Sequence, residues 1–400
     1  MSELIQHTNQ RLERLITFAG RLIDGENGKM LFGQYQNDIE NIDAHETMQL
    51  FDQLLADGYP VAQVKAFAGK LVNLFYKSLN AKHREKPAEG HFLYYMMLEN
   101  RGVEAAISEV KPWIKSCFDS NNQLRDEARQ QLSAFVERIK EYELHYIKKE
   151  NILFPWLEKS FKQHRCLQLM WSFHDDFRKS VKQMAQLLQQ QSPDKVALNH
   201  EIGKLFFVVL PIIFREEQIV FPVALRAIPE KGWDDMLQQS RETGWCYGVA
   251  PRYRSGTEIS QAVEGTIDLG SGSLTPAQLV LMLNELPVDI TFVDEHDEVR
   301  YFSGARHRIF PRSKAIIGRK VQNCHPPESV HIVNEIVEAF RNGTKSHADF
   351  WIKMKGRFIH IRYFALRDEQ GCYKGTIEVS QDATEIRALE GEQRLLDWNK

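Results

Sequence analysis

Three histidines and two glutamates in the middle of the chain have the types and spacing for chemistry: His91, His145, Glu150, His174 and Glu217. Neutral imidazoles and carboxylates are the natural donors for a divalent transition metal. Glu150 and Glu217 stand in two stretches that nearly repeat each other. One is Lys148-Lys149-Glu150-Asn151-Ile152-Leu153-Phe154-Pro155, the other Arg215-Glu216-Glu217-Gln218-Ile219-Val220-Phe221-Pro222. Such an echo marks two pseudo-equivalent helices. In each, the carboxylate precedes a Phe by four residues and shares its helical face. A carboxylate on an apolar face is costly unless it is paired, protonated or metal-bound. Pro155 and Pro222 each remove a backbone donor and free the carbonyl of Asn151 or Gln218. Taken singly, each His reads more often as a surface or capping residue, and either Glu is as readily a solvated residue as a ligand. One His on each of three helices, with two carboxylates, shifts the balance to a metal site. Asp175 and Asp176 read as surface charges, either of which can orient His174 from outside the ligand set.

The elements that must position these residues are helical. Apolar residues recur at helical spacing over about 88–117, 121–160, 164–190 and 194–227. The connections are short and polar, as at Ser120-Asn121-Asn122 and Gln191-Ser192-Pro193-Asp194. Four amphipathic helices with short loops predict an antiparallel four-helix bundle, a fold that builds metal sites from facing helices. His91 falls on the first helix, His145 and Glu150 on the second, His174 on the third and Glu217 on the fourth. Residues 1–80 predict a small helical module, with stripes such as Leu12, Leu15, Ile16, Leu22 and Ile23, and no catalytic constellation. Its His7 and His45 read as surface residues.

Gly90-His91, His145 with Lys149 through Pro155, Trp171-Ser172-Phe173-His174-Asp175, and Glu216-Glu217 before Phe221-Pro222 resemble a hemerythrin-like (HHE cation-binding) domain over 81–228. The first 80 residues resemble the uncharacterised helical module that often precedes such domains in bacteria. The resemblance implies a four-helix bundle holding non-haem iron, as a di-iron centre, a single metal or none. It implies roles in binding dioxygen or sensing oxygen, nitric oxide or redox state. The spacing differs from the best-known members. Lys149, not a carboxylate, lies four after His145, and Glu150 lies five after it, so that pair shares a face only where the helix is locally distorted. Ile213 lies four before Glu217, where a His is usual.

Residues 229–274 read as a linker, ending in the Gly- and Ser-rich run Gly265 to Ser273, although Trp245-Cys246-Tyr247 hints at packing on a domain. Beyond it the period changes. A helix from Thr275-Pro276, a strand pair at Ile290–Asp294 and Val299–Phe302, helical segments over about 306–341 and strands at Ala348–Met354, Arg357–Arg367 and Tyr373–Asp382 predict an α+β layout. Gly318-Arg319-Lys320, His325-Pro326-Pro327, Gly371 with Gly375, and Gln381-Asp382-Ala383-Thr384-Glu385-Ile386 resemble a PAS domain over 275–388. That implies a five-stranded antiparallel sheet that binds a small ligand, or dimerises and relays a signal. Cys324, His325 and His331 are the candidate PAS ligand residues, with haem the less expected occupant. Residues 389–400 read as a tail continuing as a helix.

The fold class expected is therefore multidomain: an all-α module and four-helix bundle, then an α+β PAS domain. A formal charge of −3 gives no electrostatic case for nucleic acid or an anionic membrane. No apolar run is expected to span a membrane, and the first residues lack the pattern of a signal peptide. Five scattered cysteines without a Cys-x-x-Cys pair suggest reduced thiols and a cytoplasmic protein. No P-loop, dinucleotide fingerprint or nucleophile elbow is present. These features together suggest a sensor in which an iron site detects oxygen, nitric oxide or redox state and the PAS domain passes it to a partner protein or across a homodimer. The alternatives are a metal-free binding module whose PAS pocket holds the only ligand, and a di-iron enzyme acting on nitric oxide or peroxide.

Overall fold

The computed structural model describes residues 2–81, 86–253, 265–304 and 308–392. The end of the predicted C-terminal tail, the middle of the predicted linker and the start of the segment near 306 lie outside the described residues. The chain divides near residue 255 into two compact units.

The first unit is helical. It opens with α1 (Ser2–Ile23), α2 (Gly28–Asn41), α3 (Ala44–Ala56) and α4 (Val61–Ala81). Local chemistry sets some of these ends. Asp43 accepts from the Glu46 N–H (2.8 Å) and Glu46 accepts from the Asp43 N–H (2.9 Å), a capping box that starts α3. The bundle follows: α5 (Phe92–Lys115); α6 (Asp126–Lys140), α7 (Glu143–Lys148) and α8 (Phe154–Ser160); α9 (Leu167–Gln189); α10 (Lys195–Arg215) and α11 (Phe221–Ala227). The predicted second and fourth helices are each interrupted by a π turn, Lys149–Leu153 and Glu216–Val220. Both lie just before a proline. The Phe154 N–H bonds the Lys149 carbonyl and the Phe221 N–H bonds the Glu216 carbonyl, five residues back in each case. This is the distortion that the sequence repeat encodes: the helix inserts one residue where Pro155 or Pro222 cannot donate.

Two expectations change here. Glu230–Thr243, read as linker, is an amphipathic helix, α12, that buries Trp233, Met236 and Leu237. Cys246 is buried after it, and Tyr247 lies so close to α5 that a Cβ on Gly102 would meet its ring at 2.5 Å. The second change concerns membrane span. Lys195–Ala227 is long and apolar enough to cross a membrane by length and composition. In the fold it is a bundle element that buries Leu198, Ile202, Leu205, Val209 and Ile212 on its inner face. The helices before residue 81 share one continuous apolar core with the bundle.

The second unit holds a small hairpin, β1 (Ile267–Asp268) with β2 (Ser273–Leu274), then α13 (Pro276–Glu285). Its main sheet contains β3 (Asp289–Asp294), β4 (Val299–Phe302), β5 (His347–Met354), β6 (Arg357–Arg367) and β7 (Tyr373–Asp382), in the order β4-β3-β7-β6-β5 and antiparallel throughout. Lys355 and Gly356 both have positive φ (50° and 78°), as the two-residue turn joining β5 to β6 requires. Gly375 permits close pairing of β7 with β3, since a Cβ there would lie 2.3 Å from the Val293 carbonyl oxygen. The predicted helical stretch before β5 resolves into two 3₁₀ turns, Lys314–Ile316 and Val321–Cys324, and α14 (Val330–Arg341).

Candidate functional site

The core of the bundle is ionic at its centre. His145 on α7 sits between two carboxylates, with Nδ1 2.9 Å from Glu99 of α5 and Nε2 3.0 Å from Glu216 at the start of the second π turn. A ring that satisfies carboxylates on both nitrogens must donate from both. Each carboxylate also receives a lysine. The Lys148 ammonium donates to Glu99 (2.9 Å) and to the Gly244 carbonyl (2.8 Å), while Lys149 pairs with Glu216. Glu99 further accepts from the Cys246 N–H (2.8 Å), and Glu216 from the Asn100 amide (3.2 Å). Tyr142 donates to the side-chain Oδ1 of Asn100 at 2.5 Å. The side chains of Lys148, Lys149, Glu99, Glu216 and His145 are all 0% exposed. The lysines also lie over aromatic rings, Lys148 over Trp245 at 4.4 Å and Lys149 over Tyr146 at 4.5 Å.

The balance of burial and charge explains how these groups coexist. Burial pushes the Glu216 carboxyl up, but Lys149 and His145 together outweigh it and hold it down at about 2. Burial likewise raises Glu99, and His145 with Lys148 more than offset this, leaving it below the usual carboxylate range. Burial lowers both lysines, Lys148 against Glu99 and Lys149 against Glu216. Glu216 has two cationic partners and Lys149 one carboxylate, so we assign the pair as ionised.

A second cluster lies beside the first. His174 Nδ1 is 2.7 Å from Glu150, and Arg178 donates to both Glu150 oxygens (3.0 and 2.8 Å), to Glu143 (2.9 Å) and to Asp175 (3.0 Å). Burial, then the charges of Lys149, Arg178 and His145, lower His174 well below the ordinary imidazole range. It is therefore neutral, donates to Glu150 through Nδ1, and leaves Nε2 buried without a hydrogen-bond partner. Its ring stacks on Tyr146 at 4.2 Å.

The predicted residues thus separate. His91 is the N-cap of α5: its Nδ1 accepts from the Leu93 N–H (3.1 Å), and its ring packs on Trp233 at 4.5 Å. His145 contacts Glu216 rather than Glu150 or Glu217. Glu150 and His174 meet each other. Glu217 accepts from Asn100 (3.0 Å) and pairs with Arg101. The sequence reading did not single out Glu99 or Arg178, and it quoted Lys148, Lys149 and Glu216 only within the repeat and its motifs, not as site residues. Signals for them were present: Glu99 lies on the apolar stripe of Met96 and Val103, and Lys149 and Glu216 occupy the same repeat position with opposite charges.

These donors do not fit one metal centre. Glu99 and Glu216 lie at opposite nitrogens of His145, so no single ion can take all three. Both carboxylates are already neutralised by ammonium groups that a dication would have to displace. Among the described residues no three His, Cys, Asp or Glu side chains are grouped as ligands for one ion.

In the PAS unit, Cys324 ends a 3₁₀ turn with its sulfur 3.6 Å from the Lys320 carbonyl oxygen. His325 donates through Nδ1 to the Val321 carbonyl oxygen (2.9 Å), and its burial lowers its pKa. His331 is exposed on the first turn of α14.

Residues 91–224 match the family model of the hemerythrin HHE cation binding domain, a metal-binding family, and residues 279–384 match that of a PAS domain. No curated protein matches the chain. Among solved structures, a C-terminal domain from Streptococcus mutans is 32% identical, covering 32% of this chain and 98% of its own, with a TM-score of 0.31. A PAS domain from Colwellia psychrerythraea is 18% identical over 27% of this chain and 97% of its own, with a TM-score of 0.22. A sensory box sensor histidine kinase from Vibrio cholerae is 14% identical over 27% of this chain and 92% of its own, again with a TM-score of 0.22. The two family matches identify a chain that carries a hemerythrin HHE cation binding domain followed by a PAS domain.

Proposed function

We propose that this is a cytoplasmic signalling protein whose hemerythrin-like bundle, over 81–228, is held together by a buried ion network in place of a metal, and whose PAS domain, over 275–388, senses and relays. The pairing of the two matched domains supports a sensor or signalling role. The observation that carries the metal-free reading is the pairing of Lys148 with Glu99 and Lys149 with Glu216, all fully buried. Iron quantification on protein incubated anaerobically with Fe(II) and then desalted tests it. The expected result is no stoichiometric iron; one or two tightly held irons per chain would overturn it.

A second reading keeps iron, and one observation favours it. His174 is neutral, oriented by Glu150 through Nδ1, with a bare Nε2 lone pair in the interior. That is how a metal-ligating imidazole is commonly prepared. A His174→Ala variant separates the readings, since only the iron reading predicts lost iron uptake.

Two copies of the PAS domain are proposed to pair. On α13 Leu281 is 63% exposed and on the edge strand β5 Trp351 is 65% exposed, with Met282 and Phe350 exposed beside them. Exposed apolar groups of this size and an unpaired strand edge invite a partner. Sedimentation should show a dimer that Leu281→Glu with Trp351→Glu converts to monomer; an unchanged sedimentation coefficient would exclude both residues from the interface.

A further inference from the structure

Helix α10 is apolar on two opposite faces, and the bundle uses one of them. Leu198, Ile202, Leu205, Val209 and Ile212 are buried inward. On the other side stand Val196, His200, Gly203, Phe207, Leu210 and Phe214. Two seven-residue repeats run through that face, 196-203-210 and 200-207-214, the spacing of a seam along which a second helix lies. The seam is open: Val196 is 75% exposed, Phe207 83% and Leu210 38%, with His200 exposed between them. A Cβ on Gly203 would meet nothing within 4 Å, so a hollow lies one turn before the projecting Phe207. Towards the C-terminal end, Phe214 stacks on the half-exposed Tyr76 of α4 at 5.1 Å and widens the apolar strip. An exposed strip of this kind marks a contact surface.

The order of residue sizes says what covers it. With a second α10 antiparallel about a two-fold axis at Leu205, Gly203 faces the partner's Phe207, His200 the partner's Leu210, and Val196 the partner's Phe214. Small meets large, and every contact occurs twice, as an isologous interface requires. Charge does not oppose this pairing. The one acid of α10, Glu201, is buried, and Lys204 beside the axis already lies 3.4 Å from it. We propose that α10 pairs antiparallel with α10 of a second copy of this chain, the Phe207 of each seated on the Gly203 of the other. One helix pair of this length buries roughly 1,000 Å² over both copies, the lower edge for a specific interface, so the contact forms in concentrated protein. It is independent of the PAS pairing. A chain carrying Leu281→Glu and Trp351→Glu is monomeric when dilute and pairs through α10 when concentrated.

Sedimentation of that full-length variant from micromolar to near-millimolar concentration tests this, with and without Phe207→Glu. The variant should pass from monomer to dimer, and Phe207→Glu, at a position exposed enough to leave the fold intact, should weaken pairing at least tenfold. Cross-linking under oxidised glutathione, in a Cys372→Ser background, tests the register. An equimolar mixture of Val196→Cys and Phe214→Cys chains should form linked dimers. Neither chain should link to itself, because like positions lie about 27 Å apart along the pair at 1.5 Å per residue. A monomer at every concentration, pairing that Phe207→Glu leaves unchanged, or self-linked Val196→Cys chains would each overturn the proposal. So would Phe207-dependent binding to phosphatidylglycerol vesicles without self-association, which would assign the face to lipid. Failure of the PAS pairing alone would show separately, as equal sedimentation of the dilute chain with and without Leu281→Glu and Trp351→Glu.

Discussion

At the residue scale the central fact is that lysine ammonium groups take the carboxylates. Removing one partner of a buried ion pair leaves the other charged and unpaired, which costs about 3–5 kcal/mol. Lys149→Ala should therefore destabilise the protein by about that much in denaturant unfolding. Lys149→Met with Glu216→Leu should recover most of it, because a well-packed apolar pair often matches a buried ionic one. A loss in the double variant equal to the sum of the two single losses would show that the pair is not coupled. The same pair sets an acid limit. The Glu216 carboxyl is held at about 2 in the fold against 4.5 in the free side chain, so its stabilisation is full above about 4.5 and lost as pH falls towards 2. Glu216→Gln should flatten stability over that window. The candidate histidines were legible in sequence as residue types, but not as neighbours. His145 and Glu150 share a face in sequence only where the helix is locally distorted; His145 meets Glu216 instead, because the helix reaches its π turn only after His145.

At the element scale the two π turns explain both the repeat and the displaced contacts. Their cause is legible as a proline at the same place in two helices, which cannot donate the next helical hydrogen bond. What could not be read was α12. Its sequence is polar and Gly-flanked, and only Trp233, Met236 and Leu237 betray a buried face. That helix leads to Gly244, Cys246 and Tyr247, which close over Lys148 and Glu99. Gly102 makes room for Tyr247, so Gly102→Ala should push this segment off α5 and cost about 1–3 kcal/mol, the range for overpacking a core. Faster amide exchange at residues 244–247 than on α9 would accompany it; unchanged exchange and stability would show that the segment has room to shift. The strands of the PAS unit, by contrast, were legible almost to the residue, since alternating apolar residues between glycine turns leave few alternatives.

At the scale of the whole molecule, the helical unit is one body from α1 to Tyr253, with a single apolar core, around an ion network that occupies the centre of the bundle. Composition could not foretell this, because Lys, Glu and His in these numbers are ordinary surface residues until a fold buries them. The most direct measurement is the thermal unfolding midpoint of protein reconstituted anaerobically with Fe(II), compared with protein treated with a strong iron chelator. A metal bound at a hundred times its dissociation constant adds about 2.7 kcal/mol, which for a unit this size raises the midpoint by about 5–10 °C. A core held by Lys148 and Lys149 predicts coincident midpoints. A chelator-reversible rise of several degrees would contradict it.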